Sequence, residues 1–279
     1  DLTLDVSKGW RHEADPAVVF YQNKWWSFTT WDFDGYRVSD DLVHWRDVRF
    51  DPAIRQLALD KNGEYCGAAV CVFDGAMLYL AMHQPEAKGR TPVLRTRDPL
   101  SGKWEKCGEI PTVQDPALFA DGGRLFLYHG LGEGAPTRVM ELDTKSFTPI
   151  PGTEKELRPR IKRTSELTGG IELGRREIFD ETDTSAFLGK LEKLPCQEGA
   201  WMTKANGRYY LNYATPGTLT QWYSDVVMEG PSPTGPFQPV DYSPAAMMAG
   251  GFIGSAGHGC FFQDRHGNWL RMGTMWIGV

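Results

Sequence analysis

One pattern of apolar and polar positions recurs five times along the chain. A short apolar run is followed by a polar turn that carries Gly or Asn and then by an aromatic run, which is typical of a β-hairpin. The five apolar runs begin at Ala17, Ala68, Ala117, Ala200 and Gly259. After each of the first four hairpins the pattern predicts a second pair of short strands. Because four strands make one propeller blade, the repeat predicts an all-β chain and a five-bladed β-propeller.

The spacing of the repeats predicts one domain over residues 1–279 with one large insertion. Three of the four intervals between hairpin starts suit a single blade, whereas the interval after Ala117 is longer. The excess falls around residues 151–197, where charged residues are crowded, and we expect an insertion or an elaborated blade there. The fifth repeat reaches Val279 after only its first hairpin. We therefore expect the last blade to be incomplete in this chain, with an alternating strand at residues 2–6 helping to close the ring.

Composition and charge exclude several classes of protein. Aromatic residues make up 12% of the 279 residues, and 31 Gly with 18 Pro supply the turns of an all-β fold. A net charge of -6 without a basic block would repel a phosphate backbone, so we expect no nucleic-acid partner. No apolar stretch approaches the roughly 20 residues of a membrane helix, so we expect no membrane span.

The cysteines and the N-terminus bear on the compartment. The five cysteines are odd in number and fit no zinc spacing, so they predict no disulfide framework. The chain begins at Asp1 rather than Met, which is compatible with a removed signal segment that is not visible in this sequence. We favour a secreted or periplasmic location over a cytoplasmic one. The sequence leaves the oligomeric state open.

Four residues that can carry chemistry stand at equivalent places in the repeat, directly before the apolar run. They are Asp15, Asp115, Glu198 and His258, while the second repeat has Gly67 there. The first strand of a propeller blade begins at the central channel, so we expect these side chains to converge on one pocket. Glycoside hydrolysis requires such converging carboxylates, because one must be ionised to activate water and another protonated to donate to the leaving oxygen.

At these residues the chain resembles glycoside hydrolase family 43 and the related five-bladed propeller glycosidases. The resemblance extends over the whole chain and rests on six motifs in a characteristic order. The motifs are Asp15-Pro16, Ser39–Trp45 (SDDLVHW), Asp115-Pro116, Glu198-Gly199, Gly235-Pro236-Phe237 and Gly257-His258-Gly259. Each motif is weak alone, and their order and their place in the repeat make the set specific.

The resemblance implies a role for each acid. Asp15 would be the general base, Glu198 the general acid, and Asp115 would orient Glu198 and raise its pKa. An ionised Asp115 disfavours a second negative charge nearby, which agrees with this division. The family inverts the anomeric configuration by single displacement. We therefore expect the carboxyl groups of Asp15 and Glu198 to be about 6.5–9.5 Å apart, with a water molecule between base and sugar.

Other candidate residues concern the sugar and a metal ion. Trp31, Trp201 and Trp222 lie near blade ends, where an indole face can stack on a sugar ring. The resemblance places His258 low in the channel, where it would contact substrate or water and, indirectly, a cation. No cofactor is required, and a structural calcium ion in the channel stays open as an alternative.

Several other tryptophan and aspartate residues are predicted to have structural rather than catalytic roles. Trp25, Trp26 and Trp269 are predicted to lie in the cores of their hairpins. Asp98 precedes a proline as in related retaining fructan-cleaving enzymes, but it falls in the second half of its repeat, where we expect a turn. The motif Ser39–Trp45 is predicted to fix an outer hairpin.

The resemblance predicts a glycoside hydrolase that removes terminal sugars from plant or algal glycans. An α-L-arabinofuranosidase or β-xylosidase is the first choice, because the insertion could wall off the pocket and favour a chain end. A galactosidase or an endo-arabinanase on the same fold is the alternative. A carbohydrate-binding propeller without catalysis and a retaining or phosphorolytic relative are further alternatives.

Overall fold

The structure is a computed structural model that describes residues 14–30, 34–59, 67–73, 75–83, 89–130, 132–133, 137–157, 196–218, 223–247 and 253–277. Strands dominate these residues and the two helical segments are short, so the predicted all-β class is confirmed. No helix in the described ranges is long and apolar enough to cross a membrane.

The strands form four sheets. Strands β1 to β4 form the first sheet, at Ala14–Tyr21, Lys24–Thr30, Gly35–Ser39 and Trp45–Arg49. Strands β5 to β8 form the second sheet, at Ala68–Val72, Leu78–Met82, Arg90–Thr96 and Glu105–Pro111. Strands β9, β10, β12 and β13 form the third, at Ala117–Asp121, Arg124–His129, Arg138–Leu142 and Lys155–Glu156. The fourth sheet contains β11 and β14 to β20, at Gly132–Glu133, Cys196–Ala205, Arg208–Thr215, Ser224–Gly230, Gln238–Pro239, Ala246–Met247, Ile253–Gln263 and Trp269–Ile277.

All five predicted hairpins are present, but the repeats map onto the sheets unequally. The first three repeats each form a sheet of four strands, whereas the fourth and fifth share one sheet of eight strands. The two repeats are joined where Ser224 in β16 pairs in parallel with Ala256 in β19. This connection is a single parallel residue pair, which leaves no periodic signal in the sequence. The repeat alone therefore could not predict that the fourth and fifth repeats share a sheet.

The chain divides into two compact units, of which the first comprises residues 1–128, 140–154 and 260–272. A core cluster of this unit is formed by apolar side chains of the second and third sheets, among them Tyr79 and Leu127. The first strands of its three sheets are neighbours, with β5 lying beside both β1 and β9. The ends of these strands are therefore close together, as the propeller pattern predicts.

An aromatic cluster supports the first sheet. Trp25 and Trp26 are 3% and 1% exposed, which confirms their predicted core position. Tyr36 Oη donates to the carbonyl oxygen of Pro99 at 2.5 Å and accepts from Trp104 Nε1 at 3.1 Å.

The prediction for Trp269 was wrong, because this side chain is 43% exposed. Trp269 lies in β20, the last strand in the order of its sheet, and among the described residues no strand of that sheet lies beyond it.

Two Asp-Pro pairs begin helical turns. Helix α1 (Pro52–Ala58) was not predicted, although Asp51 Oδ1 accepts the N–H of Ala53 at 2.9 Å as an N-cap and proline occupies the first turn. Asp98 precedes a short 3₁₀ turn at Pro99–Ser101, as expected for a turn residue.

The loop of the SDDLVHW motif closes the hairpin of β3 and β4, which confirms its predicted structural role. Asp41 Oδ1 accepts the backbone N–H groups of Val43 and His44, at 2.9 and 2.8 Å. The indole N–H of Trp45 donates to the carbonyl oxygen of Leu42 at 3.2 Å. These bonds satisfy the polar groups of the turn locally.

The second compact unit comprises residues 129–139, 155–259 and 273–279. The Gly-Pro-Phe motif supplies part of its core, because Phe237 is 2% exposed. A Cβ atom on Gly230 would lie 2.8 Å from Phe237 Cδ1, so glycine is required where β16 ends against this ring.

No disulfide is formed in the described ranges by Cys71, Cys107, Cys196 or Cys260.

Two predicted features fall on residues that the structure does not describe. The N-terminal strand at residues 2–6 and residues 158–195 of the predicted insertion lie outside the described ranges. The single domain over residues 1–279 stays a prediction.

Candidate active site

Asp15 lies near the start of β1, where the strand is irregular. The register against β2 passes from the pair Ala14 and Thr30 to the pair Ala17 and Phe28, which leaves one extra residue on β1 and forms a β-bulge. The φ of Asp15 is 54°, in the left-handed region that L-residues rarely adopt. A bulge re-aims a side chain, so the direction of Asp15 does not follow the alternation of β1.

Thr30 and Gly67 connect Asp15 to the surroundings of Asp115. Thr30 Oγ1 donates to Asp15 Oδ2 at 2.9 Å, and the backbone N–H of Gly67 donates to Thr30 Oγ1 at 2.9 Å. A Cβ atom on Gly67 would lie 4.0 Å from Asp115 Oδ1, and Asp115 is 8% exposed. Both predicted aspartates therefore lie close to Gly67, the corresponding residue of the second repeat.

In the second unit, Glu198 lies at a similar irregularity in β14. The register against β15 shifts between Glu198 and Trp201, which marks a second bulge. Tyr223 Oη donates to Glu198 Oε1 at 2.5 Å, whereas Cys196 Sγ lies 3.9 Å from Oε2. A thiol is a weak donor, so the contact with Cys196 is much weaker than the one with Tyr223. The side chain of Glu198 belongs to a partly exposed residue, as a group that meets substrate must.

His258 stands against Gly199 of β14. A Cβ atom on Gly199 would lie 2.5 Å from His258 Cδ2, so only glycine leaves room for the imidazole ring. The peptide after the histidine is held on both sides, because Asn212 Nδ2 donates to the Gly259 oxygen at 2.8 Å and the Gly259 N–H donates to Asp225 Oδ1 at 3.3 Å. Asn212 and Asp225 are buried, so His258 rests on a rigid, hydrogen-bonded support.

Each of the five repeats has a left-handed residue at this position or, in the fourth repeat, directly after it. The φ angle is 54° at Asp15, 76° at Gly67, 48° at Asp115, 61° at Gly199 and 46° at His258. A non-glycine residue in this region costs of order 1–3 kcal/mol, and such strain concentrates at functional sites. Each repeat therefore has a left-handed bend at or next to its candidate residue, near the start of its first strand.

Four supporting residues were not found from the sequence: Thr30, Asn212, Tyr223 and Asp225. Each of them lies at least 15 positions along the chain from the group it contacts, so the contact cannot be recognised from the sequence around that group. A signal existed only for Thr30, because the last residue of β2 must face the first residue of β1 in a hairpin, and Ala14 pairs with Thr30. No pattern in the sequence connects the other three with the acids or the histidine.

Comparison with known proteins decides the family. The profile of the family described as glycosyl hydrolases family 43 matches residues 11–272. The chain belongs to glycosyl hydrolases family 43. The match confirms the resemblance predicted from the order of the motifs.

Several known proteins are similar to this chain. A curated xylosidase/arabinosidase of Bacteroides ovatus is 33% identical over 128 residues, which are 44% of this chain and 38% of that protein. A xylan β-1,4-xylosidase structure from Bacillus halodurans has a TM-score of 0.69 and 19% identity, covering 96% of this chain and 49% of that chain. An endo-1,4-β-xylanase structure from Bacteroides thetaiotaomicron has a TM-score of 0.64 and 21% identity, covering 93% and 83%.

The chain covers only part of the length of these relatives. The chain spans 38% of the curated relative and about half of the first solved relatives, which carry further chain. At identities below 25% the solved structures show that the fold is shared with family 43.

The remaining family 43 expectations concern aromatic residues and a cation. Trp201 lies in β14 opposite Asn212 and is partly exposed, whereas Trp31 and Trp222 lie outside the described ranges. In the part of the chain that the structure describes, no group of three or more His, Cys, Asp and Glu residues could hold a metal ion. A cation near His258 stays a prediction.

Proposed function

We propose that this family 43 chain is a five-bladed propeller glycoside hydrolase that removes terminal sugars from plant or algal glycans with inversion. An α-L-arabinofuranosidase or β-xylosidase activity is the first choice, in line with the name of the curated relative. The observation that carries the proposal is that both candidate acids accept a hydrogen bond from a hydroxyl group. Asp15 accepts the hydroxyl proton of Thr30 in one unit, and Glu198 accepts that of Tyr223 in the other.

The proposed reaction uses three carboxyl groups. A water molecule attacks the anomeric carbon and gives a proton to Asp15, while the glycosidic bond breaks and the leaving oxygen takes the proton of Glu198. The hydrogen bond from Thr30 favours the ionised form of Asp15, which a general base needs. Asp115 is proposed to orient Glu198 and to disfavour its ionisation.

The five-blade count rests on the repeats and the sheets together. Three four-stranded sheets would be the first three blades, and the eight-stranded sheet would contain the fourth blade and the strands of the fifth. A left-handed residue near the start of each first strand supports five equivalent units. The proposed substrate is an oligosaccharide or polysaccharide. Because such polymers lie outside the cell, the proposal includes a secreted or periplasmic location.

The test is hydrolysis of aryl arabinofuranosides, xylosides and galactosides, with the anomeric product followed by NMR. We expect activity on one sugar with inverted product. With a basic leaving group such as phenol, both Asp15→Asn and Glu198→Gln should lose at least about 100-fold in activity. Asp98→Asn is the matched control, because it makes the same chemical change in an Asp-Pro pair that opens a turn. Its activity should equal that of the wild type.

Other results would contradict the proposal in distinct ways. A retained anomeric configuration would exclude single displacement. No hydrolysis on any sugar, together with glycan binding that survives both substitutions, would indicate a carbohydrate-binding propeller. Release of oligomers rather than monosaccharide from a polymer would indicate an endo-acting enzyme.

A further inference from the structure

Tyr223 is a buried residue whose hydroxyl group reaches the candidate general acid. The residue is 1% exposed and lies directly before β16, and Tyr223 Oη donates to Glu198 Oε1 at 2.5 Å. A Cβ atom on Gly257 would lie 2.4 Å from Tyr223 Cε1, so the glycine closely covers one part of the ring. The backbone N–H of Ala256 donates to the Tyr223 carbonyl oxygen at 2.8 Å. The phenol is therefore held in place by the backbone of β19.

This contact distinguishes the two oxygens of the carboxyl group. A protonated carboxyl group carries one proton, and a tyrosine hydroxyl is a donor at neutral pH because its ordinary pKa is about 10. Since Oε1 of Glu198 accepts the hydroxyl proton of Tyr223, the acidic proton belongs on Oε2. The thiol of Cys196 lies 3.9 Å from Oε2, and a thiol is only a weak hydrogen-bonding group.

We propose that Tyr223 is the positioning residue that assigns the catalytic proton to Oε2 of Glu198 and stabilises the carboxylate left behind. The inference rests on the proposed function, in which Glu198 is the general acid. The proton moves from Oε2 to the glycosidic oxygen, and that oxygen keeps the electron pair of the broken bond to the anomeric carbon. The new bond to carbon comes from water, whose proton goes to Asp15.

The effect of Tyr223 is larger in the transition state than in the ground state. Glu198 is neutral before proton transfer and negative afterwards, so the hydrogen bond to Oε1 becomes charge-assisted as the reaction proceeds. Only an interaction that strengthens toward the transition state accelerates the chemical step. The difference between a neutral and a charge-assisted hydrogen bond corresponds to roughly a tenfold change in rate.

The test is Tyr223→Phe, measured on a series of aryl glycosides of the preferred sugar with leaving groups of increasing basicity. The substitution keeps the ring against Gly257 and removes the hydroxyl group. We expect kcat/KM to fall about tenfold for a basic leaving group such as phenol, which needs protonation, and hardly at all for dinitrophenol. A purely structural role would lower the rate equally for all leaving groups, and that result would overturn the inference.

Two further variants separate failure of the inference from failure of the proposed function. Glu198→Gln should show the same dependence on the leaving group with a larger loss, and its absence would mean that Glu198 is not the acid. Tyr36→Phe is the matched control, because it removes another buried hydroxyl that donates a hydrogen bond at 2.5 Å. It should show no such dependence, whatever its effect on stability.

Discussion

The hydroxyl group of Thr30 lies between the backbone N–H of Gly67 and the carboxyl group of Asp15, at 2.9 Å from each. The Gly67 N–H occupies a lone pair of the hydroxyl oxygen, so the single hydroxyl proton is directed at Asp15 Oδ2. A hydrogen bond to the charged form of a carboxyl group favours that form. Thr30 therefore supports the ionised state that the proposed base requires.

Removing this hydroxyl group should change the pH dependence of the enzyme. In Thr30→Val the pKa of Asp15 should rise, because its ionised form loses a hydrogen bond. The base must be ionised to act, so the acid limb of the plot of kcat/KM against pH should move to higher pH. The pH profile of hydrolysis of an aryl glycoside measures this shift.

Thr30→Ser is the control for that experiment, since it keeps a hydroxyl group at the same place. Its acid limb should stay near that of the wild type. Thr30→Val also leaves the buried Gly67 N–H unsatisfied, which should lower the free energy of unfolding by about 1–3 kcal/mol. If the serine and valine variants share one acid limb, the role given to the hydroxyl group is wrong.

Alanine at Gly199 should destabilise the protein through the ring of His258. The new Cβ atom would lie 2.5 Å from the ring, and the φ of 61° is strained for alanine. We expect Gly199→Ala to lower the free energy of unfolding by roughly 2–4 kcal/mol in urea titrations. Gly207→Ala is the matched control, because Gly207 has a φ of 75° and no atom within 4 Å of its Cβ position.

The control isolates packing from backbone strain. Gly207→Ala should cost about 1 kcal/mol, which is the strain alone. Equal losses in the two variants would show that the imidazole ring moves aside without cost and that Gly199 is not needed for its position.

The fold was largely readable from the sequence because its repeat is a repeat of hairpins. Alternating apolar runs and Gly- or Asn-containing turns are local signals, and all five hairpins lie where these signals place them. Helix α1 and the joining of β16 to β19 were missed. The helix begins with an Asp-Pro pair that also fits a turn, and the join depends on one long-range residue pair, Ser224 and Ala256.

The candidate site was readable only in part. The chain has four Asp-Pro pairs, and the dipeptide alone does not distinguish a cap from a site residue. Their backbone does, because φ is 54° at Asp15 and 48° at Asp115 but -56° at Asp51 and -129° at Asp98. Position in the repeat divides the four pairs in the same way as their backbone conformation does. The partners of the acids, such as Tyr223, follow from tertiary packing and could not be predicted.

The ion pair between Glu141 and Arg124 should make stability depend on pH. Arg124 Nε donates to Oε1 at 2.8 Å and Nη2 to Oε2 at 2.5 Å, and this side-chain hydrogen bonding lowers the pKa of Glu141. A pKa that is lower in the folded state stabilises the fold above the pKa of the unfolded chain, which is about 4.3. The contribution is lost as the pH falls through the folded-state value.

We therefore expect Glu141→Gln to lower the free energy of unfolding by about 1 kcal/mol at pH 7. The difference from the wild type should shrink as the pH falls below roughly 4, because protonation then removes the same charge from the wild type. Urea titrations at pH 7 and pH 3 measure both values. Glu105→Gln is the control, since Glu105 pairs with Arg95 at 60% side-chain exposure and should lose less. A loss for Glu141→Gln that is equal at both pH values would mean that packing, and not charge, is the contribution of this side chain.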